Sequence, residues 1–182
     1  MHPGDPAVIA ATPDDLRSDD ELFERSRGGD AAAFGALAAR SWDAVHRIAW
    51  HMVPDEAAAA QVAEAAFLAA LEAGDAFPAD VPFQTSLYRV VMGESWRRLD
   101  DAPAAGAGSP ARSSLAARFR DAVQRLDALD RAAFLLREAA HLSAGEAAAV
   151  LGITPSSIRR RAHRATVSLM GFFEPAVNST RA

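Results

Sequence analysis

A cluster of arginines follows a helix start near the C-terminus of the chain. Thr154 and Pro155 are typical of the first residues of a helix, because a threonine hydroxyl can accept from a free backbone amide and proline has no amide hydrogen to leave unpaired. Hydroxyl and guanidinium groups then follow along the same helix, and such groups bind phosphates and base edges. They predict a contact surface for double-stranded DNA, formed by Ser156, Ser157, Arg159, Arg160, Arg161 and Arg164.

The residues before this helix predict a partner helix and a tight turn. Ser143 and Glu146 have the spacing of a capping box, and Gly152 suits the left-handed conformation that ends a helix. Apolar residues at helical spacing would hold the two helices together, namely Ala147, Val150, Leu151, Ile153 and Ile158. This pattern is typical of a helix-turn-helix, whose second helix enters the major groove.

Within that motif, the position of each polar residue predicts its role. Ser156, Ser157 and Arg160 lie where base edges are contacted, whereas Arg159, Arg161 and Arg164 lie where phosphates are held. The alternative is a solvated basic helix end, because arginine also favours the C-terminal part of a helix.

Two groups of helices must position these residues, and the fold class predicted is all-α. Apolar residues recur at helical spacing in two small domains, residues 19–100 and 114–174, and no segment alternates with the period of a strand. Residues 101–113 are rich in alanine, glycine and proline and are predicted to be a flexible linker. Residues 1–18 are predicted to be a disordered tail, and residues 175–182 form a second tail.

The first domain is predicted to contain four helices. Asp19 or Asp20 is expected to cap the first of them, and Asp30 the second. The inward positions of the second helix are Phe34, Leu37, Val45, Ile48, Ala49 and Met52, and those of the third are Val62, Ala66, Phe67, Ala70 and Leu71. A fourth helix follows Pro82. The tryptophans Trp42, Trp50 and Trp96 are expected to pack in the core, and the alternative is an exposed ring that stacks on an unpaired base.

Charge is distributed unevenly along the chain. Residues 1–101 contain 18 acidic residues and 8 arginines, a net charge of −10, whereas residues 102–182 contain 6 acidic residues and 11 arginines, a net charge of +5. The basic half is therefore the one expected to meet nucleic acid. The acidic half either meets a basic protein surface or is simply solvated.

Several classes of protein are excluded by composition. The chain has no cysteine, its five histidines lack the spacing of metal ligands, and the short segment Gly106-Ala107-Gly108-Ser109 is a poor phosphate loop. We therefore expect no enzyme, no cofactor and no metal site. The acidic, proline-containing N-terminus is unlike a signal peptide and no apolar run is long enough to span a bilayer, so a cytoplasmic protein without membrane insertion is predicted.

Several short phrases are similar to those of one protein family. Asp20-Glu21-Leu22 leads to Gly29-Asp30, Pro82-Phe83-Gln84-Thr85 leads to Leu87-Tyr88-Arg89, and Leu135-Leu136-Arg137 precedes Leu142-Ser143 and Leu151-Gly152-Ile153. In this order, over about residues 19–173, they resemble a group IV sigma factor of the extracytoplasmic-function type. The resemblance implies a region 2-like bundle, a region 4-like helix-turn-helix bundle and a non-enzymatic subunit of transcription initiation.

The resemblance also implies partners and contact residues. The partners are core RNA polymerase, through its β′ clamp helices and β flap, promoter double-stranded DNA and an anti-sigma factor. By position, the −35 element would be read by the helix-turn-helix residues named above. The polymerase face would include Gln61, Glu64, Ala65 and Leu68, and −10 capture would fall to the 77–83 loop and to Phe83, Tyr88, Arg89, Arg97 and Arg98.

Departures from the family pattern keep a second hypothesis open. Two carboxylates expected on the third helix are absent, Ser86 replaces a tryptophan, and Asp100 and Asp101 end the fourth helix where positive charge is expected. The first hypothesis is a divergent sigma factor that directs promoter-specific initiation. The alternative is a sigma-like decoy or DNA-binding regulator that does not initiate transcription and binds only an anti-sigma factor or DNA.

Overall fold

The structure, a computed structural model, describes residues 17–72, 74–101 and 114–173. These residues form eight helices and no strands, which confirms the all-α prediction. In chain order the helices are α1 (Asp19–Arg27), α2 (Ala31–Met52), α3 (Glu56–Glu72), α4 (Phe83–Asp101), α5 (Leu115–Gln124), α6 (Ala128–Glu138), α7 (Ala144–Leu151) and α8 (Pro155–Phe173). Nearly all of the predicted N-terminal tail, linker and C-terminal tail lies outside the described residues.

The first helix begins differently from the prediction. Ser18, not Asp19 or Asp20, caps α1, and its hydroxyl and the Glu21 carboxylate form a complete capping box. The two aspartates are thereby left in the first turn of α1, from which they reach α4. Asp20 accepts a hydrogen bond of 2.6 Å from the first backbone amide of α4, at Phe83, so a residue of one helix caps another.

Small alanine side chains form much of the core of the first half of the molecule, which contains α1 to α4. The second half contains α5 to α8. Ala59, Ala63, Ala66 and Ala70 are buried along α3, and their small side chains let α2 and α4 approach closely on either side. Phe34 is only half-buried. Leu71 is exposed, contrary to the prediction, because it lies at the edge of the buried stripe of α3, beyond the cover of its neighbours.

The second half confirms the predicted helix-turn-helix. Ser143 and Glu146 form the capping box of α7, and Gly152 adopts a φ of 66° at its end. Pro155 is the first residue of α8, and Ile158 is fully buried. The sequence predicts helices over residues 115–126 and 129–140, and the corresponding helices α5 and α6 each end two residues earlier.

The two halves pack directly against each other. One continuous apolar cluster includes buried residues of both, and α7 lies against α4 while α5 and α6 lie against α2. The half formed by α1 to α4 and the half formed by α5 to α8 therefore have cores that are in contact.

Candidate nucleic-acid interface

The start of α8 presents hydroxyls and free cations at the surface. Thr154 caps the helix by accepting from the Ser157 amide at 3.3 Å, and its hydroxyl lies 3.0 Å from those of Ser156 and Ser157. Arg159 and Arg160 are exposed, and neither has an ion pair or side-chain hydrogen bond among the described residues. Their guanidinium groups are therefore available to phosphate or base oxygens.

Arg161 and Arg164 are placed differently, because both are paired with Asp130 of α6. Arg161 donates to this carboxylate at 2.9 Å, and Arg164 donates two hydrogen bonds of 2.6 and 3.0 Å. The hydrogen bonds from Arg164, followed by those from Arg161, hold the pKa of Asp130 below its usual value. These two arginines orient α8 on α6, and a phosphate would have to compete for them.

Asp130 is a residue that sequence reasoning missed. Asp127 and Asp130 are three positions apart on one helix, and Arg161 and Arg164 are three positions apart on another, so the two pairs share a helical spacing. That matched spacing of opposite charges was the available signal. It indicates a contact only once α6 is known to pack on α8.

The predicted aromatic residues for −10 capture lie in the core, which corrects the expectation for them. The side chains of Phe83 and Tyr88 are 1% and 4% exposed, and the Phe83 ring packs against Phe23 and Phe77 at centroid distances of 4.9 and 5.8 Å. Burial raises the pKa of Tyr88 to about 12. Neither ring can stack on an unpaired base without leaving the core.

The arginines of α4 are engaged by other groups. Arg89 donates to the backbone carbonyl of Ala149 in α7 at 3.0 Å. Arg97 and Arg98 donate to the Glu94 carboxylate at 2.5 and 2.7 Å. Burial acts to raise the pKa of Glu94, but the hydrogen bonds from Arg98 and Arg97 outweigh it and lower this pKa.

The loop before α4 borders an open cleft of about 250 Å³. Apolar groups form part of its wall, including Phe23, Pro78 and Pro82, whereas Asp20 and Asp80 add carboxylates. Such a cleft has the size and the acceptors to hold a planar group with N–H donors, and its negative charge disfavours phosphate.

The predicted polymerase face is exposed on α3. Gln61 and Glu64 are exposed, Leu68 is 50% exposed, and Ala65 is half-buried beside them. Trp42 of α2 borders this face, stacked on Phe67 at a centroid distance of 5.8 Å, and it is exposed instead of being a core residue as expected. Trp50 and Trp96 are half-buried against the core. The exposed apolar side chains of Leu68 and Trp42 thus adjoin the polar groups of Gln61 and Glu64.

Metal sites and membrane-spanning helices are both absent from the parts of the chain that the structure describes. No group of histidine and acidic side chains there could hold a metal ion. None of the described helices combines the length and apolarity that a bilayer crossing requires.

Comparisons with known proteins agree with this geometry. The family described as Sigma-70, region 4 matches residues 116–169, which include α7 and nearly all of α5 and α8. No curated protein matches the chain in sequence.

Solved structures share the arrangement of both halves. The chain is similar to CnrH, solved in complex with the cytosolic domain of CnrY, with a TM-score of 0.69 and 27% identity over 84% of this chain and 95% of that one. It shares the fold of the sigma factor RpoE from Bartonella quintana, solved with the anti-sigma factor NepR, with a TM-score of 0.64 and 19% identity over 76% and 95% of the two chains. The capped helix-turn-helix therefore lies within the Sigma-70, region 4 match, and the helical bundle that precedes it has the fold of CnrH and RpoE.

Proposed function

We propose that this protein is an alternative sigma factor that binds core RNA polymerase and directs promoter-specific transcription initiation. The observation that carries the proposal is a pair of exposed arginines, Arg159 and Arg160, which have no ion pair with any residue that the structure describes and which lie on a capped helix within the region 4 match. The chain itself would supply recognition, and the polymerase would supply the chemistry.

Reading of the −35 element is assigned to the start of α8. The N-terminus of a helix carries a partial positive charge, and here it is followed by the hydroxyl of Ser156 and two guanidinium groups. Arg160, with the two serines, is proposed to contact base edges, and Arg159 to hold a phosphate. Arg161 and Arg164 contribute mainly by fixing the angle of α8 through Asp130.

Capture of the −10 element is assigned to the cleft beside the 77–83 loop instead of to exposed aromatic rings. Phe23 and Pro82 offer apolar contact to a flipped base, and Asp20 or Asp80 offers an acceptor for its N–H groups. The phosphate backbone would then follow Arg97 and Arg98, because the carboxylates of the cleft repel it.

Docking on polymerase is assigned to the α3 face. Leu68 and the neighbouring Trp42 form its apolar part, while Gln61 and Glu64 form a polar rim, which is a common composition for a protein interface. CnrH and RpoE were each solved with a protein partner. We propose that this chain also has an anti-sigma partner.

The proposal is tested by co-elution of the purified protein with core RNA polymerase during size-exclusion chromatography. A housekeeping sigma factor should displace it, because both would occupy the same site. Leu68→Glu should abolish co-elution, whereas Leu115→Glu, the same change at an exposed leucine in the other half, should not.

Absence of co-elution would contradict the proposal. Duplex binding without polymerase binding would then support the regulator hypothesis, in which only the helix-turn-helix remains in use. Capture of an anti-sigma factor without binding to either polymerase or DNA would support the decoy hypothesis.

A further inference from the structure

The Asp130 carboxylate of α6 engages two of the four arginines of α8. It accepts one hydrogen bond from Arg161 at 2.9 Å and two from Arg164, at 2.6 and 3.0 Å. Arg159 and Arg160 have no such partner among the described residues. We propose that Asp130 is a specificity-determining residue, which withholds Arg161 and Arg164 from DNA phosphates and thereby limits binding to duplexes of unrelated sequence. The inference rests on the proposed reading of duplex DNA by α8.

Carboxylates and phosphates compete for the same guanidinium groups. Both are anionic oxygen acceptors, and arginine binds each of them through paired N–H donors. The Nε and one terminal nitrogen of Arg164 donate to the two oxygens of Asp130, which is the forked arrangement that a phosphate would also receive. Asp130 therefore satisfies the donors that a phosphate would otherwise satisfy.

Arg164 is the arginine best placed to reach DNA once it is released. Its side chain is 52% exposed, whereas the Asp130 side chain is only 11% exposed, so the pair presents its cation to solvent. Arg164 also follows Arg160 by four positions, which places the two side chains on adjacent turns of one helix face. The Arg161 side chain is less accessible, with 26% exposed. A released Arg164 would thus lie beside the residue that is proposed to contact base edges.

Contacts with phosphates strengthen binding without selecting a sequence. Every duplex has the same backbone, so each additional phosphate contact raises the affinity for all sequences. An α8 with four available arginines would therefore bind unrelated DNA more tightly, although its base-contacting residues were unchanged. Because unrelated sites in a genome greatly outnumber specific ones, the ratio of specific to non-specific affinity decides where the protein is bound.

Asp130 also preserves the geometry that base contacts require. By binding Arg161 and Arg164, it joins two successive turns of α8 to one point on α6 and so fixes the angle between the helices. Hydrogen bonds to base edges need that angle because they are directional, whereas contacts with phosphates tolerate other angles. Loss of Asp130 is therefore expected to strengthen non-specific binding without strengthening specific binding.

Titration of two labelled duplexes with the full chain tests the inference. The specific duplex is selected by the unaltered protein from a random-sequence pool, and a scrambled duplex of equal length and composition is the non-specific probe. Asp130→Asn should bind the scrambled duplex about three- to tenfold more tightly and steepen the slope of log K against log salt by about 1–2, because up to two cations are released. Its affinity for the selected duplex should not rise, because a looser α8 weakens the base contacts.

Asp127→Asn is the matched control. It makes the same charge change on the same helix, and asparagine keeps the ability to cap α6. Asp127 is exposed and lies 3.8 Å from Arg161, too far for a hydrogen bond. We expect its affinity for the scrambled duplex to change less than about twofold. An equal gain in both variants would show that net charge alone is responsible and would overturn the role of Asp130.

Arg164→Ala separates the withholding of a cation from a purely structural role of Asp130. In the otherwise unaltered protein, this change should leave the affinity for the scrambled duplex within about twofold, because Arg164 is already engaged. In the Asp130→Asn background it should remove most of the gain. A gain that persists undiminished without Arg164 would overturn the inference, since it would not come from the released cation.

The Arg164 variant also keeps the test decisive if Asp130→Asn does not fold. Circular dichroism would verify the helices of each variant before titration. A loss of affinity for the scrambled duplex as large as that of Arg160→Ala would show that Arg164 already holds a phosphate, and would overturn the inference. A loss confined to Arg160→Ala would support it.

Failure of this inference is distinguishable from failure of the proposed function. If the pool yields no enriched sequence, the proposed reading of duplex DNA by α8 is overturned, whereas tighter binding of the scrambled duplex by Asp130→Asn would still support the withholding of arginines. If a sequence is enriched but the ratio of the two affinities is unchanged in Asp130→Asn, the specificity role of Asp130 is overturned and the proposed function is supported.

Discussion

The two halves of the molecule contain similar arginine-bearing helices but differ in the availability of the arginines. At the start of α8, Arg159 and Arg160 are exposed and unpaired among the described residues. On α4, Arg97 and Arg98 are paired with Glu94, and Arg89 is bonded to the other half. The partners of a basic side chain, more than its presence, therefore determine whether it can meet a phosphate.

This difference suggests an order of events at a promoter. The surface of α8 that is proposed to read duplex DNA is already exposed in the free protein, so binding there needs no change in packing. The cleft proposed for −10 capture is also open, but Arg97 and Arg98, which would hold the phosphate backbone beside it, are paired with Glu94, so these pairs must break first. We infer that duplex contact at the −35 element precedes single-strand capture.

The largest expected effect is on duplex binding by α8. Arg159→Ala with Arg160→Ala should weaken affinity about 10- to 100-fold and reduce the slope of log K against log salt by about 2, because two free cations are lost. Titration of a labelled duplex at several salt concentrations measures both quantities. Arg118→Ala with Arg125→Ala makes the same charge change in the same half, and an equal loss there would show that net charge alone is responsible.

Removal of Asp130 should have the next largest effect. Asp130→Asn weakens the hydrogen bonds to Arg161 and Arg164 that position α8, and we expect the free energy of unfolding to fall by about 1–2 kcal/mol. Urea unfolding at neutral pH measures this change. Asp121→Asn, which removes the charge of an exposed pair on α5, should leave stability close to that of the unaltered protein.

The sign of the pH dependence provides a second check on Asp130. Its pKa is lowered in the folded protein, so its stabilising contribution is present above the ordinary value of about 3.9 and is lost as pH falls through the lowered value. Asp130→Asn should remove that part of the acid sensitivity. An acid transition identical to that of the unaltered protein would mean that the ion pairs contribute nothing.

A smaller effect, a gain in affinity for single-stranded DNA, is expected when Arg97 and Arg98 of α4 are released from Glu94. Glu94→Gln should free Arg97 and Arg98 and raise the affinity for single-stranded DNA about two- to fivefold, because the added attraction is screened by salt. Glu72→Gln changes the net charge equally at an exposed site of α3. If both variants gained the same affinity for single-stranded DNA, the pairing of Arg97 and Arg98 with Glu94 would not be what limits DNA binding by α4.

The smallest effect concerns His51, which lies between the halves. Its ring meets the Phe119 ring edge-on at a centroid distance of 5.7 Å, and its Nδ1 is buried and has no hydrogen-bond partner among the described residues. Burial lowers the pKa of His51, and the positive charges of Arg120 and Arg47 lower it further. The unfolded chain therefore takes up a proton near pH 6.5 more readily than the folded one, and stability falls as pH decreases below that value. His51→Gln should make the midpoint of thermal unfolding less dependent on pH between 6.5 and 5, whereas His163→Gln, at an exposed site, should leave this dependence unchanged.

Local signals made the helix-turn-helix predictable. Each signal acts over a few residues: Ser143 and Glu146 are three positions apart, Gly152 and Pro155 are also three positions apart, and all are found as predicted. The cap of α1 was less certain because Ser18, Asp19 and Asp20 can all serve, and only the position of α4 shows what the two aspartates contact instead. The exposure of Leu71 also depends on neighbouring helices. The helical spacing of apolar residues predicts which face of α3 is buried, but not how much of that face the neighbouring helices cover.

Side-chain types and their spacing are enough to define the helices, the exposed basic surface at the start of α8 and the division into an acidic and a basic half. Each of these depends on side-chain type and on spacing within one or a few helical turns. Only the tertiary structure decided which arginines are free, because Asp130 is 31 and 34 positions from its partners. It also decided that Arg120 and Arg131 meet the end of α2 from 66 to 79 positions away, since contacts at such separation depend on how whole helices pack.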